Sequence, residues 1–374
     1  MEIRRVLKGL KFIAIAGAAT GVAAGAAAVG GVGLAGYAYW RYRRGPDLSG
    51  QVALVTGSSR GLGFAMAREF VRQGCDVIIC ARDQQELQSA ADELKQLGTT
   101  VLAIPCDVSD REQVARMIEQ VNARFGGIDV LVNNAGVMTV GPIESQTIED
   151  FEEAMKVMFW GVVHPTLAVL PQMLARRGGR IATITSVGGK VSMPHLLPYN
   201  CAKFAAVGFS EGIHAELSRY GIRVTTVVPG LMRTGSHLNA SFKGDNEAEY
   251  SWFRLAATLP LVSMDARRAA RAIVSGIQRG ETEIILTPQA RALATVHGVF
   301  PGWTTEALGL VNRLLPKSTG DAGKQSTLGR DSETAVSSSV FTGLGRQAAR
   351  DLRQNEGKRR AEGLRNSSSE PAVS

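Results

Sequence analysis

Tyr199 and Lys203 stand four residues apart in the run YNCAK. On a helix that spacing places both side chains on one face. A phenol with a pKa near 10 is a poor acid–base group at neutral pH, but an ammonium beside it favours the phenolate and draws the pKa down. Ser186 closes the apolar run IATITS thirteen residues earlier, where its hydroxyl can hold a substrate oxygen. A phenol, an ammonium and a hydroxyl together suit the movement of a proton on or off an oxygen while the carbon bearing it changes oxidation state. Y-x-x-x-K alone arises by chance, and most tyrosines only pack, so the pair needs corroboration.

Corroboration lies upstream. Thr56-Gly57-Ser58-Ser59-Arg60-Gly61-Leu62-Gly63 follows the apolar run VALVT and opens a helical pattern. Glycines there allow a tight turn and let backbone N–H groups approach a pyrophosphate at the helix N-terminus. The second apolar run ends VIICARD, and its tip holds Ala81 and then Arg82 rather than an acid. An acid at that point would bond ribose hydroxyls and favour NAD. Arg82 and Arg60 instead offer two guanidinium groups to a 2′-phosphate, so NADP(H) is the expected cofactor.

The elements that must position these residues form a repeating pattern. From Gln51, VALVT, FAMAREFVRQG, DVIIC, a polar helix ending near Leu97-Gly98, VLAIPC, a helix through Val114–Phe125 and IDVLVNNAG follow in turn. Strands apolar on both faces, alternating with helices, predict an α/β fold: a Rossmann-like doubly wound parallel sheet in a single catalytic domain over 51–290. A helix is predicted near 151–175, another from about Tyr199 to Tyr220, then strands at RVTTVVPG and at EIILT, 283–287. Gly230 to about Pro260 lacks clear periodicity and is expected to be a flexible substrate lid.

TGSSRGLG, Asp107-Val108 in CDVSD, the NNAG run of Asn133, Asn134, Ala135 and Gly136, Ser186, YNCAK and PGLMRT at 229–234 occur in this order. Together they resemble the short-chain dehydrogenase/reductase family over roughly residues 48–290. The resemblance implies Tyr199 as general acid or base, Lys203 on the nicotinamide ribose and Ser186 on the substrate carbonyl. It implies Asp107 near the adenine ring, Asn133 structuring the central sheet and cofactor pocket, and Pro229, Gly230 and Thr234 along the nicotinamide carboxamide. Gly57, Ser59, Arg60, Gly61, Leu62, Gly63, Arg82, Val108, Asn134, Ala135 and Gly136 complete the expected dinucleotide site.

One position departs from the family pattern, which has an Asn in a V-N-x-x-G setting supporting a water in the proton relay. This chain reads Val157-Met158-Phe159-Trp160-Gly161, with no Asn between Asn134 and Asn200. A thioether accepts hydrogen bonds weakly and donates none. Either the relay uses another group or water, or turnover is slow. The alternative reading is a non-catalytic, membrane-anchored cofactor-binding or scaffold protein on the same fold; an epimerase or dehydratase is a third. The intact Tyr199–Lys203 pair favours the enzyme.

The ends of the 374-residue chain carry its net charge of +8, since residues 45–316 sum to about −1. Basic ends beside an apolar segment fit an anionic membrane, not nucleic acid. Residues 12–40 contain no charge, follow a basic segment at 1–11, and close on Tyr37, Tyr39, Trp40 and then Arg41, Arg43 and Arg44. As a helix this run would reach roughly 43 Å, beyond the ~30 Å hydrocarbon core, so one transmembrane anchor is expected, with a linker at 41–50. A cleaved signal is the rival. The chain is thus expected to be a single-pass membrane protein; the basic residues on both flanks give almost no orientation, and the cysteine usage places the catalytic domain on the cytoplasmic side. Four scattered cysteines show no metal-ligand spacing and read as reduced, mostly buried small hydrophobes. The anchor and the apolar residues Met193, Leu196, Leu197, Trp252, Phe253 and Leu255 point to a lipophilic substrate. Residues 291–316 are expected as one amphipathic helix, a core or dimer contact before a membrane one, and 317–374 as a disordered tail. A homo-oligomer is left open.

Overall fold

The computed structural model describes residues 45–258, 263–332 and 343–354. The basic segment 1–11 and the expected anchor 12–40 lie outside the described residues.

Seven strands, β1 (Val52–Thr56), β2 (Asp76–Ala81), β3 (Val101–Pro105), β4 (Val130–Asn133), β5 (Gly179–Ile184), β6 (Ile222–Val228) and β7 (Glu283–Ile285), form one sheet in the order β7-β6-β5-β4-β1-β2-β3, every neighbour parallel. Period-two alternation divides each strand between two cores. In β1, Ala53 and Val55 face one side while Val52 and Leu54 face the other. β2 repeats this, with Val77 and Ile79 opposed to Ile78 and Cys80.

The first core is closed by α1 (Gly61–Arg72), α2 (Gln84–Lys95) and α8 (Ala266–Arg279), through Phe64, Phe70, Leu87, Ile273 and Ile277. The second is closed by α3 (Arg111–Phe125), α5 (Gly161–Arg176) and α6 (Leu197–Leu217), through Ile118, Val121, Val169, Met173 and Leu217. Phe64 and Phe70 are fully buried, and truncating either to Ala would cost about 3–5 kcal/mol.

The helix starts differ in how they are capped. Asp83, Asp110 and Asp265 accept backbone N–H groups at the starts of α2, α3 and α8. At the start of α1, Arg60 supplies no side-chain cap; the Gly61 N–H donates instead to Leu352 O, and the positive end of the helix dipole faces the turn.

The helix expected near 151–175 is present over Ile148–Arg176, with α4 (Ile148–Met155) passing into α5 through a π-helical turn, Lys156–Trp160. This is the described run long and apolar enough to cross a bilayer, and half of its most apolar stretch is buried in the domain. Several other expectations are corrected. The expected flexible lid contains an ordered helix, α7 (Asn246–Thr258), with Glu249, Tyr250 and Arg254 buried. Its apolar stripe was hidden from sequence because the buried face carries charged residues. Domain packing begins before residue 51: Leu48 is fully buried. The single helix at 291–316 is two, α9 (Pro288–Val299) and α10 (Pro301–Asn312), broken where Pro301 cannot donate to the preceding turn. Their apolar residues Val299, Phe300, Trp303 and Leu310 are exposed, not core. The tail is not disordered throughout: residues 317–332 pack on the domain, with Thr327–Leu328 pairing Ser241–Phe242, and α11 (Gly343–Asp351) leads to a buried Leu352.

Candidate active site

The ends of β5 and α6 bring Ser186, Tyr199 and Lys203 together. Ser186 follows β5, and its Oγ accepts the Gly188 N–H at 3.0 Å. Tyr199 and Lys203 lie near the start of α6 on one face, with Lys203 Nζ 5.7 Å from the Tyr199 ring centroid. A Cβ at Gly188 would stand 3.2 Å from Tyr199 Cε1 and 2.7 Å from Asn200 Oδ1, so only glycine lets this loop close on α6. Asn200 holds the loop from the other side, donating to Met193 O at 2.7 Å.

The electrostatics differ from the expectation that the ammonium alone acidifies the phenol. Burial raises the Tyr199 phenol above its ordinary value, and its hydrogen bond with Ser186 only partly offsets this. Lys203 is almost fully buried, and burial lowers its ammonium to about 8. Its Nζ donates to Ile184 O at 2.8 Å rather than to the phenol. Tyr199 is thus a proton-carrying phenol at neutral pH, beside a cation of weakened hold.

Met158 is buried in the π-helical turn and packs with Ala154, Val157, Ala202 and Tyr199. Its Sδ lies 3.6 Å from where a Gly136 Cβ would stand. π-helical turns favour functional sites, and this one sets the side chain of residue 158 beside the phenol.

Across the strand ends, the glycine turn is held by Thr56 and Asn134. Thr56 Oγ1 accepts the Asn134 and Ala135 N–H groups at 2.9 and 3.1 Å, and Asn134 Nδ2 donates to Thr56 O and Gly57 O. A Cβ at Gly63 would meet Gly57 O at 2.3 Å, and at Gly57 it would meet Ala135 Cα at 2.7 Å. With no side-chain cap on α1, this close backbone turn fits a dinucleotide pyrophosphate. Ser59 is buried within the turn, and Leu62 packs beneath it in the first core. Asn133 instead donates to Thr166 Oγ1 at 2.9 Å, tying β4 to α5. Burial would raise the Asp107 carboxyl, but hydrogen bonds from the Ser109 hydroxyl and N–H outweigh it and hold the group below its ordinary value. Val108 is buried against Gly161. Pro229 O accepts the Val187 N–H, Gly230 abuts Thr287, and Thr234 is buried, so the 229–234 loop lies beside Ser186.

The arginine clamp is altered. Arg60 Nη1 bonds both oxygens of Glu86, at 3.0 and 2.8 Å, while Arg82 is exposed. Glu86, buried in the first turn of α2, has no motif around it and was missed in the sequence.

A second missed group stands on the substrate side. His195, at φ 62°, bonds Glu249 Oε1 through Nδ1 at 2.7 Å, and Trp252 Nε1 donates to Glu249 Oε2 at 2.7 Å. Glu249 is fully buried. The left-handed conformation costs a non-glycine residue of order 1 kcal/mol or more, and the buried pair holds it. Because Gly141 N donates to His195 O, the pair ties α7 to both loops beside Tyr199. Leu196 and Trp252 pack with Phe253 here, whereas Leu255 is exposed. Cys75, Cys80 and Cys106 are buried; Cys201 is exposed.

Residues 51–243 match the family model described as short chain dehydrogenase. A dehydrogenase/reductase SDR family protein 7-like protein of Anopheles gambiae is 36% identical over 66% of this chain and 78% of its own length. A short-chain dehydrogenase from Streptomyces avermitilis is 32% identical, with a TM-score of 0.61, covering 71% of this chain and 98% of that one. L-sorbose reductase from Gluconobacter frateurii, solved with NADPH and L-sorbose, is 26% identical with a TM-score of 0.58, covering 64% and 97%.

Proposed function

This chain belongs to the short-chain dehydrogenase family, and on that premise we propose that it moves a hydride between NADP(H) and a carbonyl or alcohol carbon of a lipophilic substrate, with Tyr199 as general acid or base. The observation that carries this is the joining of Tyr199, Ser186 and Lys203 on one side of the strand ends, across from a glycine turn with no side-chain cap.

The dinucleotide supplies or accepts the hydride. Gly57, Ser59, Arg60, Gly61, Leu62 and Gly63 would hold its pyrophosphate, Arg82 its 2′-phosphate, Asp107 and Val108 its adenine end. Asn134, Ala135, Gly136, Pro229, Gly230 and Thr234 would line the nicotinamide end. In the reducing direction Ser186 Oγ holds the substrate oxygen and Tyr199 Oη gives it a proton, which the burial-raised phenol carries at neutral pH. Lys203 lies on the ribose and offsets the charge left on the phenolate.

For NADP(H) speak Arg60 and Arg82 and the absence of an acid at the tip of β2; the related L-sorbose reductase was solved with NADPH. One observation favours NAD as a second reading: Glu86 already neutralises Arg60. A lipophilic substrate is supported by Leu196 and Trp252 on the loop and helix that flank Tyr199. The uncharged run 12–40 and the exposed Phe300, Trp303 and Leu310 support a membrane-tethered protein, and the four free cysteines support a catalytic domain on the cytoplasmic side.

The test is NADPH consumption with a panel of hydrophobic ketones and aldehydes. Wild type turns over at least one, and Tyr199→Phe loses about 10²–10⁴-fold in kcat. Bound NADPH with no turnover of any carbonyl, in wild type and variant alike, would favour the scaffold reading.

A further inference from the structure

The segment after α11 goes on past its own core contact to the cofactor cleft. Leu352 is 2% exposed and joins the core that holds Phe64 and Ala270. Its carbonyl accepts the N–H of Gly61 at 2.8 Å, inside the glycine turn. Gln354 Nε2 lies 2.6 Å from where a Cβ on Gly61 would stand, so the side-chain amide covers that turn. From there Gln354 crosses the cleft: Asn239 Nδ2 donates to its Oε1 at 2.6 Å and to its backbone carbonyl at 3.3 Å.

Two further contacts fasten the ends. Arg353, held at φ 62°, donates to Glu93 Oε2 at 2.9 Å and to Ser89 Oγ at 2.6 Å on α2, with its guanidinium over the Phe64 ring. On the opposite side Gly235, next to Thr234, meets Ala349 so closely that a Cβ there would lie 2.6 Å from Ala349 Cβ. The segment therefore bonds α1 and α2 on one wall and the 234–239 loop on the other. A tail serving only to bury Leu352 would not need these bonds.

We propose that Leu352, Arg353 and Gln354 form a C-terminal clasp on the cofactor cleft: Leu352 O holds the Gly61 N–H of the glycine turn, and Arg353 and Gln354 join α2 and that turn to the 234–239 loop across the cleft. This rests on the dinucleotide reading above. A dinucleotide lying between those walls enters and leaves only when they part, so the clasp sets the exchange rate. Loss of the Gln354 bonds, one or two hydrogen bonds' worth, corresponds to roughly tenfold.

The experiment is stopped-flow displacement of NADPH from the full-length protein, read by nicotinamide fluorescence, with thermal unfolding alongside. Gln354→Ala is expected to raise the dissociation rate about tenfold with little change in Tm. Gln354→Glu keeps the shape and sets a carboxylate over the turn; NADPH affinity falls about tenfold, and the loss shrinks with added salt as the repulsion is screened. A purely structural tail would give no such salt dependence. Deleting 343–374 also speeds release but lowers Tm as Leu352 leaves the core, so the point variants carry the test. Wild-type release rates in both Gln354 variants, with wild-type salt dependence, overturn the clasp. Failure of the wild type to bind either NADPH or NADH overturns the dinucleotide reading, and the clasp with it.

Discussion

The two walls of the site are held in different ways. On the dinucleotide wall, short elements each carry their own stops: Asp83 and Asp110 cap α2 and α3, and Thr56 and Asn134 lock the glycine turn where β1 and β4 end side by side. On the substrate wall, the fixing bonds join residues that no sequence motif marks, His195 to Glu249, Asn246 to Thr327 and Asn239 to Gln354. The first wall is built from motifs, because any dinucleotide presents the same phosphates. The second is built from pairings that no motif announces.

That contrast can be broken most severely at Lys203, which the proposed reaction uses and whose burial costs stability. Lys203→Met should lower kcat by about two orders of magnitude or more. The buried ammonium, lowered to about 8 from an ordinary 10.5, binds its proton less well folded than unfolded. Unfolded chains therefore hold more protons between those values; the penalty is full below about pH 8 and fades as pH rises toward 10.5. It amounts to at most about 3 kcal/mol, and stranding the Ile184 carbonyl returns part of it. The Tm difference, variant minus wild type, should be more positive at pH 7 than at pH 10, measured by calorimetry; the opposite slope would exclude a buried, weakened ammonium.

Glu249→Ala probes the substrate wall. It strands His195 and the Trp252 N–H, and a broken buried pair costs about 3 kcal/mol or more. KM for the carbonyl should rise while NADPH affinity stays near wild type. A matching loss of NADPH affinity would show that the walls are not independent.

Glu86→Gln sharpens the comparison inside the dinucleotide wall. Arg60, released from its carboxylate, gains a free guanidinium for a 2′-phosphate, and the NADPH-to-NADH ratio of kcat/KM should rise about tenfold. An unchanged ratio would mean that Arg60 does not read that phosphate. The smallest effect is expected at Met158. Met158→Asn buries an amide among Ala154, Val157 and Ala202, costing about 1–3 kcal/mol, with no more than a few-fold change in kcat. An unaltered pH–rate profile would remove this position from the proton relay.

The sheet, its order of alternation and the residues proposed for the chemistry could be named from the sequence because their signals are local. Period two in β1, the TGSSRGLG turn and the four-residue step from Tyr199 to Lys203 each declare themselves within one element. Glu86, His195 and Glu249 were not legible, since a buried charge looks like a surface charge until its partner is known. The same holds for α7, whose inward face carries Glu249 and Arg254, and for the tail, whose Leu352 is one apolar residue among polar ones.

What the sequence determined by itself is the class of fold and the set of candidate groups for the chemistry, because backbone periodicity and glycine geometry act over a few residues. Only the tertiary structure decided the condition of those groups: a phenol raised rather than lowered by its surroundings, an arginine already paired, and a distant C-terminal segment lying on the glycine turn. Burial and pairing depend on what arrives from elsewhere in the chain, and a linear pattern does not encode that arrival.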